Sequence, residues 1–157
     1  MTTGHNADIE VWKVLTANDT GETGSHQAAI HIPKHIVRHG FFPPLNGESF
    51  NPECQIVARL EPGGWRLPLR YVYYNGKLSG VNGRDEYRLT GTPRIFDMLT
   101  ARAGDLLRFR WLASGEMEIS HHRDSGDDDG SVAGGSAPSS SPHNGWKVIQ
   151  VVLPSRH

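Results

Sequence analysis

Two stretches of this chain carry side chains whose types and spacing suit recognition of a nucleic-acid duplex. One is Asn82–Thr90 (NGRDEYRLT), in which Arg84, Asp85, Glu86 and Arg88 fall within five residues. An arginine can donate two hydrogen bonds to O6 and N7 of guanine, and a carboxylate can accept from the amine of the paired cytosine. Arginines interleaved with acids therefore suit G·C pairs, whereas an unbroken arginine cluster would bind mainly phosphate. The same residues also suit a solvated charge network of little energetic weight.

The other stretch is Asn18–Ile32 (NDTGETGSHQAAIHI). Asn18, Thr20, Thr23, Ser25, His26 and Gln27 place donors and acceptors on a glycine-punctuated backbone, which suits phosphate and base-edge contacts in a groove. Asp19 and Glu22 would repel phosphates unless they point away or accept from cytosine. An ordinary loop whose Asx and Ser/Thr groups satisfy their own backbone has the same composition.

Other chemistry finds less support. His31, His35 and His39 are four apart, but Pro33 interrupts them and His31 falls on a preceding strand, so they do not form a zinc-binding helical face. His121 and His122 are adjacent and point to opposite faces of a strand. Cys54 is the single cysteine, which excludes a zinc finger and an intrachain disulfide and fits a reducing cytoplasm. The chain has no G-x-S-x-G, no P-loop and no dinucleotide fingerprint. A metal-dependent nuclease would place a lysine two residues after an acid, and none of Lys13, Lys34, Lys77 and Lys147 is so placed. Glu116 and Glu118 share a strand face, a weak signal alone. No cofactor and no metal is expected.

The elements that must position these groups are mostly strands. Ile9–Thr16, Gln27–Ile32, Gln55–Leu60, Leu67–Tyr74, Glu86–Thr90, Asp105–Ala113, Glu116–His122 and Trp146–Leu153 read as strands, rich in β-branched and aromatic residues. Pro68 suits only the start or edge of its strand. Ala17–Ser25 reads as a loop, and Asn75-Gly76 as a hairpin turn. Pro33 opens a short helix over Lys34–His39. Thr92 caps a second, with Pro93 in its first position, an apolar stripe of Ile95, Phe96, Met98 and Leu99, and Gly104 as its end. Asp124–Pro142 has almost no large apolar residue and is expected to be a disordered excursion within one domain spanning 1–157. The pattern predicts a mainly β fold, a barrel of seven to eight strands with two short helices.

Net charge is −1, with 16 Lys and Arg against 17 Asp and Glu. That value conceals an asymmetry. Arg59–Arg110 holds ten basic and five acidic residues, while Asp124–Asp129 holds four Asp and no base. Such an uneven distribution suggests a polyanionic partner more than the total does, although a mixed solvated surface has the same count. No apolar run approaches transmembrane length, so no membrane is expected.

Taken together, the two polar stretches resemble one family. Lys13–Ala29 (KVLTANDTGETGSHQAA), continuing to Ile32-Pro33, resembles the opening of the N-terminal effector-DNA-binding domain of EcoRII-type (type IIE) restriction endonucleases. Tyr73-Tyr74-Asn75 followed by Arg84–Thr90 (RDEYRLT) resembles a later stretch of the same domain, in the same order. The resemblance runs from Ile9 to Met98, is looser to His122, and is not usable through the Asp/Ser/Gly tract.

It implies a B3-like DNA-binding pseudobarrel, with double-stranded DNA as partner and two arms gripping the major groove of a 5′-CCWGG effector site. By position, the first arm contributes His26, and His31 matches a tyrosine of the family's cleft. The second arm contributes Arg84, Glu86 and Arg88. Gln27, Asp85, Asn18, Thr20, Ser25 and Lys34 are then expected as further base, phosphate or supporting contacts. Asn82 and Tyr87 each stand where the family has a lysine, which implies fewer phosphate contacts or a shifted site. In that family the nuclease is a separate C-terminal domain, so this chain is expected to be an isolated N-terminal domain or a stand-alone relative without catalysis of its own. Two other readings stay open: a complete small metal-dependent nuclease, and a pseudobarrel that binds a protein or small ligand instead of DNA.

Overall fold

Alternation of apolar and polar residues is clearest in Leu106–Trp111 (LLRFRW), where Leu107, Phe109 and Trp111 are buried and Arg108 and Arg110 lie on the other face. The same two-residue period recurs along the sheet, because successive strand side chains point to opposite faces. A computed structural model describes residues 9–21, 29–77, 80, 83, 85–123 and 145–150. The expected excursion at 124–142 and the end of the last expected strand lie outside them.

The described strands are β1 (Ile9–Val14), β2 (Ala29–Ile32), β3 (Glu53–Glu61), β4 (Trp65–Tyr74), β5 (Glu86–Thr90), β6 (Leu106–Trp111), β7 (Met117–His122) and β8 (Trp146–Gln150). They form one sheet in the order β2-β5-β4-β3-β7-β6-β1-β8. Every pairing is antiparallel except β3 with β7. The result is a mostly β, curled half-barrel with β2 and β8 at its edges. Its core includes Val11, Ile30, Leu60, Tyr71, Leu89 and Phe109, all at most 1% exposed. Burying one such side chain contributes about 1.5–3 kcal/mol, so no single residue carries the fold. The buried indole of Trp111 is satisfied because its Nε1 donates to the Phe41 carbonyl at 2.6 Å. Pro68 lies beyond the last β4–β5 pair, Arg70 with Thr90, so its missing N–H costs no bond on that side.

Several local expectations are corrected. Ala17–Thr20, expected as part of a loop, is a helical turn, α1. Thr16 caps it by accepting from the Asp19 N–H, while the Asp19 carboxylate accepts from the Thr16 N–H. This reciprocal box works with Asp as well as Glu at the third position. The described helices therefore number three, with α2 at Lys34–Arg38 and α3 at Thr92–Leu99. Pro33, expected at the first helical position of α2, is its capping position, and Gly91 caps α3 one residue before Thr92, the expected cap. Gly91 has φ +91°, a conformation that Thr92 would adopt only with strain. The helix α3 ends at Thr100 in the left-handed region and not at Gly104.

Asn75-Gly76 is not a tight hairpin turn. Tyr74 pairs with Glu86, so the β4–β5 connection runs from 75 to 85. Asn75 is buried, and its amide donates to the carbonyls of Gly47 and Ser49 at 3.2 and 2.6 Å. Asn75 and Asn51 also exchange backbone-to-side-chain bonds at 2.9 and 3.2 Å. The asparagine fixes the 46–51 loop to the end of β4, a tertiary task that a dipeptide pattern does not reveal.

Candidate nucleic-acid interface

The ladder of β2, β5 and β4 places Glu86, Arg88 and Thr90 of the segment Asn82–Thr90 on a single outward face. Ile30, Ile32 and Leu89 point into the core, so the alternate residues His31, Glu86, Arg88 and Thr90 point away from it. His31 is directly opposite Arg88, and Thr90 is opposite Arg70 on β4. Arg88 Nε donates to Glu86 Oε1 at 3.0 Å, and the other oxygen of Glu86 is 3.8 Å from His31 Nε2. The arginine is 15% exposed and His31 is 55% exposed, so the guanidinium is held while the imidazole is open to solvent. Arg70 pairs with Glu53 at 2.8 Å on the same face. The resulting surface alternates charge instead of concentrating it, which suits base edges as much as phosphates.

The two connections that carry the remaining candidates leave this ladder at opposite ends. The β1–β2 connection enters β2 at Ala29, opposite Thr90, while the β4–β5 connection enters β5 beside Glu86. Ser25, His26, Gln27, Asn82 and Arg84 lie in these connections outside the described residues. Asn18 is exposed on α1, and Thr20 donates from its hydroxyl to the carbonyls of Thr16 and Ala17.

Asp85 stands apart from Glu86 and Arg88. It accepts from Tyr73 Oη at 2.7 Å and from Lys34 Nζ at 2.6 Å. Those two bonds hold its carboxyl below the ordinary carboxylate range, and burial opposes them only in part. The same contact, more than burial, pushes the Tyr73 phenol up to about 12. Tyr73 stacks on Tyr87 with ring centroids 4.3 Å apart, and Tyr87 and Phe42 flank Tyr71 in turn. Sequence reading did not single out Tyr73, because its partner lies twelve residues away across the connection. Lys34, Val37, Arg38, Tyr73 and Tyr87 line a pocket of about 240 Å³ beside this contact. Arg38 and Arg70 stand alone in the sequence, outside any motif that would mark them.

The groups considered for catalysis are engaged with arginines. Glu116 accepts from Arg66, and Glu118 is 2.8 Å from Arg110 and 3.3 Å from Arg108. Among the described residues, no three His, Cys, Asp or Glu side chains gather to hold a metal ion. No described helix is long and apolar enough to cross a membrane.

The chain is similar to several known proteins. The family described as restriction endonuclease EcoRII, N-terminal, matches residues 5–123. The type II restriction enzyme EcoRII of Escherichia coli is 38% identical over 80 residues, which cover 50% of this chain and 19% of that enzyme's length. The structure of the Arabidopsis FUS3–DNA complex aligns with a TM-score of 0.55 at 19% identity, covering 71% of this chain and 94% of that one. The B3 domain of the UbaLAI restriction endonuclease with cognate DNA aligns with a TM-score of 0.53 at 19% identity, covering 91% and 87%. The Arabidopsis thaliana LEC2–DNA complex aligns with a TM-score of 0.51 at 17% identity, covering 76% and 98%. At such identities the likeness is one of fold, and the fold is B3-like.

Proposed function

Because this chain belongs to the EcoRII N-terminal family of restriction endonucleases, we propose that it binds a specific double-stranded DNA site as the effector-binding domain of a type II enzyme. One observation carries the reading. Arg88 is held by Glu86 on an outward face opposite His31, on the strand that carries the end of the segment Asn82–Thr90.

On this reading Arg84 and Arg88 donate to guanines, and Glu86 accepts from a paired cytosine amine. His26 and Gln27 reach base edges from the other side, with His31 between the arms. Asn18, Thr20, Ser25, Asn82 and Lys34 contact or support the backbone. The site is CCWGG-like, in keeping with the relative's arm residues at Arg84, Glu86 and Arg88. Cleavage belongs to a separate nuclease domain, as the family resemblance implies.

A gel-shift titration over a range of salt tests this, using a duplex with one CCAGG site and a scrambled duplex of equal length. Specific binding appears as a preference that persists as salt rises, while the scrambled complex dissociates early. Equal, equally salt-sensitive binding to both would sink the reading. Incubation with plasmid and Mg²⁺ or Mn²⁺ checks the second part, and cutting by this chain alone would overturn it.

A further inference from the structure

Asp85 sits within the run Arg84–Arg88, yet it is turned away from the face that Glu86 and Arg88 share. Strand alternation puts it on the side of Tyr87 and Leu89. One of its oxygens accepts from Tyr73 on β4 and the other from Lys34 on α2. A single carboxylate thus ties three elements together at the point where β5 begins. The next residue is Glu86, whose carboxylate holds Arg88. The rings of Tyr73 and Tyr87, stacked at 4.3 Å, lock the same corner from below.

We propose that Asp85 is a positioning residue for DNA recognition: it reads no base, and it fixes the start of β5 so that Glu86 and Arg88 meet the groove in register. This rests on the DNA-binding reading and sharpens it. An acid in an Arg-rich recognition segment looks like a cytosine reader by composition. Here both oxygens are committed, and the side chain leaves the strand on the opposite face. Preorganisation is what such a tie supplies, since an arginine already fixed loses less freedom when it binds.

The test uses Asp85→Asn and Tyr73→Phe, the second removing only the hydroxyl and keeping the ring stack. Affinity is measured on the CCAGG duplex and on its singly substituted versions, well below each variant's melting temperature. Each variant should lose about tenfold in affinity, the scale of one hydrogen bond to a charged group. The relaxed base pairs should be the ones that Arg88→Ala relaxes. In an Arg88→Ala background the loss from Asp85→Asn should shrink toward unity, because residues acting through one another are not additive. Global destabilisation would not produce that coupling.

A loss confined to a base pair that Arg88→Ala leaves intact, additive with it, would make Asp85 a direct reader and overturn the proposal. So would wild-type affinity in both variants. Wild-type binding with unaffected variants overturns this inference alone, whereas a wild-type chain that prefers no duplex overturns it together with the functional reading.

Discussion

Arg88 and Glu86 are two residues apart on one strand, and their side chains meet at 3.0 Å across its outward face. The pair is on β5, whose next neighbour inward, Leu89, is fully buried. A guanidinium so placed is partly ordered before any ligand arrives. Arg88→Ala should therefore cost about 1–3 kcal/mol on the cognate duplex and relax discrimination at one G·C pair. It should leave a scrambled duplex nearly unaffected. Equal losses on both duplexes would make Arg88 a phosphate contact instead.

How much of this was legible in the sequence differs by level. The strands were readable because Leu106–Trp111 and Ala29–Ile32 alternate cleanly, and one buried face forces that alternation. The facing of Glu86 and Arg88 follows from the same period. What escaped depended on distant partners. Asn75 looked like a turn residue, but its amide is occupied by Gly47 and Ser49. Asp85 reads as one more acid in an Arg-rich segment, and its contacts with Tyr73 and Lys34 are not visible in the sequence. The cap at Thr16 was readable in principle, because Asp19 stands at the third position, but a polar, glycine-rich context suggested a loop.

His121 Nε2 lies 2.7 Å from Asp105 Oδ2, and Arg123 and the Arg102 N–H reach the same carboxylate. Burial pushes this carboxyl up, but the bonds from His121, Arg123 and Arg102 outweigh it and leave it below its ordinary value near 3.8. A group whose folded pKa is depressed contributes stability above its unfolded pKa and loses it as pH falls through the folded one. Asp105→Ala should cost about 1–3 kcal/mol near neutral pH, because a buried acceptor shared by His121, Arg123 and the Arg102 N–H is lost. In urea titrations at descending pH, the gap between wild type and variant should begin to narrow below pH 3.8, where the unfolded carboxyl protonates. A gap that stays constant down to pH 2 would show that the carboxylate's charge contributes nothing.

Lys13 and Asp19 form a buried ion pair at 3.1 Å, with side chains 5% and 10% exposed. The ammonium also lies over the Trp146 ring, and the carboxylate caps α1. Removing the cation alone leaves a buried carboxylate without its counter-charge, so Lys13→Met should cost about 3 kcal/mol. Adding Asp19→Asn should recover part of that loss, because an amide still accepts at the cap without needing a counter-charge. Equilibrium unfolding of the two single variants and the double gives the coupling. Strict additivity would mean that solvent already screens the pair.

Gly91 and Thr100 bracket α3, and both adopt positive φ, +91° and +55°. They should respond oppositely to substitution. A Cβ on Gly91 would stand 3.1 Å from the Pro68 carbonyl and 3.4 Å from Leu69 Cδ2, in addition to the backbone strain. Gly91→Ala should destabilise by about 1–3 kcal/mol. Thr100 is an exposed β-branched residue in the left-handed region, where glycine or asparagine belongs. Its carbonyl accepts from Arg123, a contact that any residue preserves. Thr100→Gly should relieve about 1–2 kcal/mol of strain against about 0.5–1 kcal/mol of added chain entropy, a net gain of up to about 1.5 kcal/mol. Thermal unfolding decides both: a lower melting temperature for Thr100→Gly would mean that its side chain makes a stabilising contact outweighing the strain, and an unchanged one for Gly91→Ala would mean that the β5–α3 corner can shift.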